Sequence, residues 1–507
     1  VTRARRRLIL AICCMSLLIV GLDNTIVNVA LPSIGRELHT GVTGLQWTVD
    51  AYTLTLASLL MLSGSMGDRL GRRRVFQTGL VLFTIGSLLC SAAPSIGWLI
   101  FFRMLQGVGG SMLNPVAMSI IRNVFTDARE RAQAIGWWGA TVGVSLALGP
   151  VLGGGLVDSA GWRSIFWINI PVGLLALGLT IRFVPESRAP RPRRVDVGGQ
   201  SLVIILLASL TYGIIEAPSA GWLSARSLAT FALAAAALVA LLLYERRRRE
   251  PLLELRFFRS LPFSGASAIA VCSFAALGGF LFLNTLYLQE VRGLSALTAG
   301  LYTLPIAAMT LICAPLSGRY VGRRGPRAAL LVGGLGIMLG GALLTGLGPH
   351  TSIPSLLPAY FIFGVGFGTV NPPITNTAVL GMPAAQAGVA AAVASTSRQV
   401  GQTLGVAVVG AVAAAGAVKV GPGFVQASHA AWWIVTAAGA AVLLLGVFST
   451  TPRAEATAQR VADDLRGERG MGKTRVDLED KDALWKVLDE EQFDEPPTTR
   501  PLDPHAS

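Results

Sequence analysis

Apolar stretches of about twenty residues recur from Leu8 to near Thr450, separated by short runs of arginine, glycine and proline. A helix crosses a bilayer in ~20 apolar residues, whereas barrel strands would show ten-residue segments of alternating polarity, which this chain lacks. The pattern predicts fourteen spans, beginning near Leu8, Gln46, Val75, Ile96, Ala134, Ser164, Val197, Ser224, Pro262, Ala296, Ala328, Leu356, Gly388 and Ala430. The expected fold class is an all-α membrane protein. From Pro452 the apolar period stops, and residues 452–507 read as an acidic, disordered cytoplasmic tail with one short amphipathic helix around Ala483 to Leu488.

Composition agrees with the pattern. Of the 507 residues 52% are hydrophobic and 14% charged, with a mean hydropathy of +0.59, where soluble domains carry roughly 25% charged residues. The net charge of +14 is unevenly placed: residues 1–451 hold 33 Lys/Arg against 14 Asp/Glu, and the tail holds 9 against 14. Because the arginines alternate with spans, topology explains them more simply than nucleic-acid binding does. A cytoplasmic N-terminus puts 26 arginines on one side, in the clusters Arg3 to Arg7, Arg69 to Arg74, Arg122 to Arg131, Arg182 to Arg194, Arg246 to Arg259 and Arg319 to Arg327. Arg36, Arg163, Arg226, Arg292 and Lys419 fall on the other side. Both termini are therefore expected on the cytoplasmic side of the membrane. The first apolar run is too long for a secretory signal and has no small-residue cleavage site after it, so it reads as a permanent span. Cys13, Cys14, Cys90, Cys272 and Cys313 all lie in apolar runs and suggest neither disulfides nor a metal site.

The chain also repeats itself. Gly107, Val108, Gly109 and then Asn114, Pro115 recur 257 residues later as Gly364, Val365, Gly366 and Asn371, Pro372. Gly64, Arg69, Gly71 and Arg73 recur at an offset of 254 as Gly318, Arg323, Gly325 and Arg327. Both matches pair a span with the one eight further on. The implied organisation is a six-helix half (1–184), a linker with two inserted helices (185–261) and a second six-helix half (262–451), related by an axis along the membrane normal around a central cavity.

The segment Gly64 to Arg74, GSMGDRLGRRR, is the most specific in the chain. Its glycines suit a tight turn, and Asp68 suits a carboxylate latch onto guanidinium groups or a helix N-terminus. It resembles the loop between helices 2 and 3 of the major facilitator superfamily, which makes Gly64, Asp68, Arg69, Gly71, Arg72 and Arg73 a candidate cytoplasmic gate. Span 1, with Leu22 to Pro32 reading LDNTIVNVALP, resembles helix 1 of the fourteen-helix drug:proton antiporters, and Gly161 to Pro171 also looks like that family.

A carboxylate inside a span costs ~2.5 to 3.5 kcal/mol on insertion scales, so Asp23 needs a partner. Counting the helical rise, Asp23 lies ~22 Å from the cytoplasmic end of its span and Arg103 ~10 Å from the outer end of span 4, nearly coincident depths in a core ~30 Å thick. The pair reads as a proton-coupling site or as a static structural pair. The run Arg103 to Gly109 is similar to the helix 4 motif that the superfamily associates with proton transfer. Asp50, near the outer end of span 2, reads as a second proton site or an interfacial charge, and Glu216 as interfacial. In span 5, Gly149, Pro150, Gly153 and Gly154 resemble the antiporter motif of exporters, where small residues bring helices close and proline interrupts the hydrogen-bond ladder.

Asn24, Gln106, Asn114, Asn371 and Arg398 are candidate lining residues of a substrate cavity. Spans 9 to 14 hold no carboxylate beyond Glu290 at a span edge, which disfavours dications as substrates. The resemblance implies proton-driven export of small amphipathic drugs, antibiotics or toxic metabolites without a cofactor or an obligate protein partner. The rival readings are an uptake symporter and a transporter-like sensor. No GxxxxGK[ST] phosphate loop and no enzyme-like cluster is present.

Overall fold

The computed structural model describes residues 2–189, 195–248, 251–380, 382, 384–416 and 422–477, and all of its regular elements are helices. The expected short helix near Ala483 to Leu488 lies outside these residues, as do Arg191, Arg193, Arg194, Arg249 and Lys419 of the charge pattern. The first set comprises α1 (Arg3–Glu37), α2 (Val42–Leu70), α3 (Arg72–Ser91), α4 (Ile96–Val124), α5 (Ala128–Ala160), the single turn α6 (Ser164–Trp167) and α7 (Asn169–Phe183). Next come α8 (Val197–Ala220) and α9 (Ala225–Arg247). The second set comprises α10 (Leu261–Leu286), α11 (Ala296–Tyr302), α12 (Leu304–Arg324), α13 (Arg327–Ala342), α14 (Leu357–Ala378), α15 (Ala384–Gly416) and α16 (Pro422–Ser449), followed by α17 (Pro452–Asp477). Among the described residues twelve helical segments are long and apolar enough to cross a membrane, and α13 is a shorter apolar helix. The chain is thus a multi-pass, all-helical membrane protein.

Local signals set the helix ends. Asp127, Asp196, Ser224, Ser260 and Ser295 each accept a backbone N–H in the first turn of α5, α8, α9, α10 and α11. Gly71 (φ 114°) and Gly325 (φ 83°) end α2 and α12 in backbone conformations that other residues rarely adopt. Gly64, expected to serve a turn, lies inside α2 instead, where an added methyl group would make only ordinary contact with Pro115.

The sequence repeat reappears as a repeat of close helix contacts. Gly107 packs on Tyr52 and Thr55, as Gly364 packs on Ile306 and Met309. Gly109 packs on Gly79 and Phe83, as Gly366 packs on Gly333 and Ile337. Gly86 meets Gln106 and Gly340 meets Phe363, while Gly64 touches Pro115 and Gly318 touches Pro372. The α2 and α3 positions correspond at an offset of 254 and the α4 positions at 257, and the glycines and Pro115 recur while the side chains they meet change, so the same backbone approach is built twice.

The two sets meet along α1, α2 and α5 on one side and α10, α11, α12 and α15 on the other. Among the described residues, every hydrogen bond between them lies at Asn24 and Thr53 or further toward the end away from the N-terminus. They are Asn24–Gln402 (3.0 Å), Thr403–Thr53 (2.9 Å), Gln46–Ala407 O (2.9 Å) and Val406 O (3.4 Å), Gln289–Val29 O (2.8 Å), Arg36–Glu290 (2.7 Å), and the Asp158 carboxylate on the N–H groups of Ala296 (3.1 Å) and Leu297 (2.9 Å). The two sets are thus bonded to each other at that end. α8 packs against α2, α15 and α9.

The tail departs from expectation. Residues 452–477 form α17 rather than disordered chain, with Ala454, Ala458, Val461 and Leu465 buried against α10 and a 3-10 turn at Leu255–Arg259. Their spacing of three to four residues places an apolar stripe on one helix face.

Gly109→Val and Gly366→Val are expected to destabilise the protein by about 1 to 3 kcal/mol each through overpacking. Thermal unfolding in detergent should show both with lowered Tm, beside a Gly155→Val control at a position where an added Cβ meets nothing within 4 Å. Equal Tm values for all three would contradict this packing.

Candidate functional site

The centre of the first helix set is a buried polar network around one ion pair. Asp23 on α1 and Arg103 on α4 are fully buried, and Arg103 Nη1 donates to Asp23 Oδ2 at 2.5 Å. The other carboxylate oxygen accepts from Gln106 Nε2 (2.7 Å) and Asn169 Nδ2 (3.0 Å). Gln106 Oε1 in turn accepts from Arg103 Nη1 at 2.7 Å. Ser87 on α3 accepts from Gln106 (3.3 Å) and Asn169 (3.0 Å) and donates to the Phe166 carbonyl (3.1 Å). Arg103 Nε donates to the Thr48 carbonyl (3.1 Å), and its guanidinium lies 4.3 Å from the Tyr52 ring centre. Residues of α1, α2, α3, α4, α6 and α7 thereby join one network around the Asp23 carboxylate. Burying such a pair is costly, and these added donors and the aromatic face offset part of that cost.

The coincident depths of Asp23 and Arg103 are therefore realised as direct contact. Gln106, expected to line a substrate cavity, is instead buried inside the ion-pair network. Asn169 and Ser87 were missed. Asn169 lies within the Gly161 to Pro171 segment, and an amide in an apolar run was its signal; Ser87 had none beyond being a small polar residue in a span.

Neighbours of Asp23 on α1 serve the other interfaces. Asn24 reaches Gln402 of α15, and Gly149 of α5 packs directly onto Thr25. Gly153 seats on Ile26, while Gly154 meets Ala296 and Leu297 of α11 and the Pro150 carbonyl lies against Gly300. The glycines and proline of α5 thus wedge one helix between α1 and the second set. Gly155 faces open space.

Asp50 is not interfacial. It is fully buried, and neither carboxylate oxygen has a hydrogen-bond partner among the described residues. Gln46 and Thr53, four residues before and three after it on α2, both bond to α15, so Asp50 shares their stripe at the seam between the two sets. Glu216 on α8 is half-buried and accepts from the Trp47 indole at 3.0 Å.

At the basic end, Asp68 accepts from Arg72 Nε (3.1 Å) and Nη2 (2.8 Å) across the Gly71 corner. Arg69 and Arg73 make no ion pair among the described residues. A residue outside the expected set organises this corner: Glu186 accepts the Arg73 N–H (3.1 Å) and lies 3.7 Å from Arg74, while Ser187 O accepts the Arg72 N–H (2.9 Å). A side chain at Gly71 would collide with Glu186, which with the positive φ explains the glycine. The chain leaving α7 straps the α2–α3 corner.

The remaining cavity candidates are dispersed. Asn114 and Asn371 are half-buried beside Pro115 and Pro372. Arg398 on α15 bonds the hydroxyls of Thr375 and Ser395, the latter at 3.4 Å, and pairs with no carboxylate among the described residues.

A two-set helical bundle with a buried ion pair beside the seam between the sets is an architecture suited to a membrane transporter. The chain belongs to the Major Facilitator Superfamily, whose family model matches residues 13–406. It is a transporter and not an enzyme. Relatives include the multidrug resistance protein Stp of Mycobacterium tuberculosis, 40% identical over 401 residues, covering 79% of this chain and 74% of that one. The tetracenomycin C resistance and export protein of Streptomyces glaucescens is 37% identical over 407 residues, with coverage of 79% and 74%. The multidrug efflux pump LfrA of Mycolicibacterium smegmatis is 35% identical over 412 residues, covering 81% of each chain. Among solved structures, a bacterial homologue of the lysosomal transporter Spinster, inward-facing and occupied, superposes with a TM-score of 0.61 at 17% identity, over 91% of this chain and 98% of that one. The D-xylose–proton symporter gives 0.62 at 16% identity, over 88% and 97%.

Arg103→Met is expected to cost about 3 to 5 kcal/mol by leaving Asp23 buried and uncompensated. Asp23→Asn combined with Arg103→Met should recover much of that loss. Thermal unfolding of the single and double variants checks the coupling; losses that simply add would remove the ion pair from the structural core.

Proposed function

We propose that this chain is a proton-coupled exporter of small amphipathic drugs, antibiotics or toxic metabolites in the bacterial plasma membrane, with both termini in the cytoplasm. The observation that carries the reading is the placement of Asp23, Asn24 and Thr25. Consecutive residues of α1 bind the buried ion-pair network, the second helix set and the α5 wedge. A change in charge at Asp23 therefore acts on the helix that holds the seam together.

In this reading the ionised Asp23 is held by Arg103, Gln106 and Asn169. Uptake of a proton removes the charge that Arg103 compensates, so the energy of this network differs between loaded and empty states. That difference biases the rocking of the two sets. Asp50 is the second proton-binding residue: a buried carboxylate without a partner is costly, and a proton removes that cost. Asp68 with Arg72, strapped by Glu186, holds the cytoplasmic corner. The named functions of the relatives and the α5 wedge support export.

The fourteen-span drug:proton antiporter arrangement fits this reading, with α13 and α15 crossing beside the twelve long apolar segments and α8 and α9 as the inserted pair. The substrate passes between the sets, and Asn24, Asn114, Asn371 and Arg398 are proposed as cavity residues. Without deep carboxylates in the second set, the substrate class is neutral, monocationic or anionic. The proton gradient is the only energy source invoked, and no cofactor or partner chain is required.

Substrate-driven proton movement in proteoliposomes tests the reading across a panel of antibiotics and dyes. At least one compound should move protons with the parent protein, and Asp23→Asn should abolish coupling while retaining substrate exchange in the absence of a gradient. Undiminished coupling in Asp23→Asn would refute the assignment of that carboxylate. Compound-driven flux with no proton movement would refute antiport.

A further inference from the structure

A cavity stands apart from the ion-pair network and the seam. It has a volume of 430 Å³ and lies at the basic end of α2, α3 and α4. Three of its lining residues are arginines, Arg69, Arg74 and Arg188, and its remaining wall is apolar apart from Thr78, with Met66, Leu70 and Met112 contributing from α2 and α4. Arg69 and Arg188 are exposed and make no ion pair among the described residues. Arg74 is 70% exposed and has only Glu186 nearby, at 3.7 Å. Glu186 is already engaged by the backbone N–H groups of Arg73 and Ser187. The cavity therefore combines three arginines, of which only Arg74 is ion-paired, through Glu186 Oε2, among the described residues, with an apolar floor.

The surface beyond it is apolar. Val81, Ile85 and Leu88 are 37%, 45% and 52% exposed and follow Thr78 along α3 at intervals of three and four residues, which places them on one face. That stripe leads from the arginines toward the middle of the span. A ligand matching both parts has a phosphate at one end and a long apolar chain at the other.

We propose that this cavity binds an anionic phospholipid, with its phosphate on Arg69, Arg74 and Arg188 and an acyl chain along the Thr78 to Leu88 face of α3. Guanidinium groups pair with phosphate through parallel N–H donors, and basic pockets between spanning helices recognise anionic headgroups. A zwitterionic lipid carries the same phosphate, but its own ammonium cancels the charge that three arginines reward. Free phosphate matches the arginines and leaves the apolar stripe unused. The site joins α2, α3 and α4 beside the Gly71 corner, so its occupant bears on the elements that Glu186 straps together.

Native mass spectrometry of the full chain in detergent tests the proposal, using phosphatidylglycerol, phosphatidylcholine and inorganic phosphate as probes. Phosphatidylglycerol should be retained in preference to phosphatidylcholine. Arg74→Gln with Arg188→Gln should weaken phosphatidylglycerol about 30-fold, each arginine near an anionic headgroup being worth a factor of roughly five. Phosphatidylcholine should change little. Thr78→Trp, which fills the apolar floor, should weaken phosphatidylglycerol while leaving the arginines in place. Unchanged Tm in these surface variants separates loss of lipid from loss of fold. Equal retention of the two lipids, or full retention of phosphatidylglycerol by the double arginine variant, would overturn the proposal. Displacement of phosphatidylglycerol by millimolar inorganic phosphate would assign the cavity to the free anion and overturn the lipid.

Discussion

A charge inside a bilayer-spanning bundle must be paired, solvated or neutralised, and the first helix set is arranged around that constraint. Asp23 and Arg103 sit where neither oxygen nor nitrogen reaches water. Every nearby helix accordingly turns a polar atom inward: the Thr48 carbonyl from α2, Ser87 from α3, Gln106 from α4 and Asn169 from α7. Glycines at 86, 107 and 109 allow α2, α3 and α4 to come close enough for these short side chains to meet. Packing and electrostatics are therefore one requirement here, since a wider spacing would leave donors and acceptors unpaired in a low-dielectric interior.

The second set keeps the packing and drops the charge. Tyr360 occupies the place of Arg103 at the offset of 257, and it bonds Asn284 of α10. Phe363 replaces Gln106 at the same offset and packs against Gly340 and Phe280. A neutral hydroxyl–amide bond asks for no compensation and has no protonation state to exchange near neutral pH. The pseudo-symmetric frame is thus loaded asymmetrically: one set holds the titratable network, and the other resembles a passive counterpart of the same shape.

Much of this was readable in the amino-acid sequence because its causes are local. Span position follows from apolar run length, the repeat from glycine spacing, and the Asp23–Arg103 contact from the cost of an unpaired charge at matched depth. What the sequence hid depends on which face of a helix meets which neighbour. Gln106 and Arg398 are both polar residues in spans, yet one closes a buried network and the other, half-buried on α15, binds two hydroxyls. Glu186 was invisible for a related reason: it lies in irregular chain after α7, and only folding brings it to Gly71. The α17 stripe of Ala454, Ala458, Val461 and Leu465 was outweighed by the acidic composition around it, although its period alone marks a helix with one buried face.

The seam shows how a transporter can be held shut and still open. Its bonds at Asn24, Gln46 and Thr53 pair neutral polar groups with α15 in an apolar setting, and two of the amide oxygens are left over: Asn24 Oδ1 and Gln46 Oε1 find no donor among the described residues. A fully satisfied seam would resist separation, and an apolar one would give water nothing to bind once parted. A half-satisfied polar seam loses little when water enters, because hydration supplies the missing hydrogen bonds. The ionic contacts are placed differently. Arg36–Glu290 and the Asp158 cap on α11 stand at the far end, where their charges lie close to solvent. Asp50 is the exception at depth, a carboxylate on the same stripe as Gln46 and Thr53, and apart from it the bonds between the sets are neutral at depth and ionic at the rim.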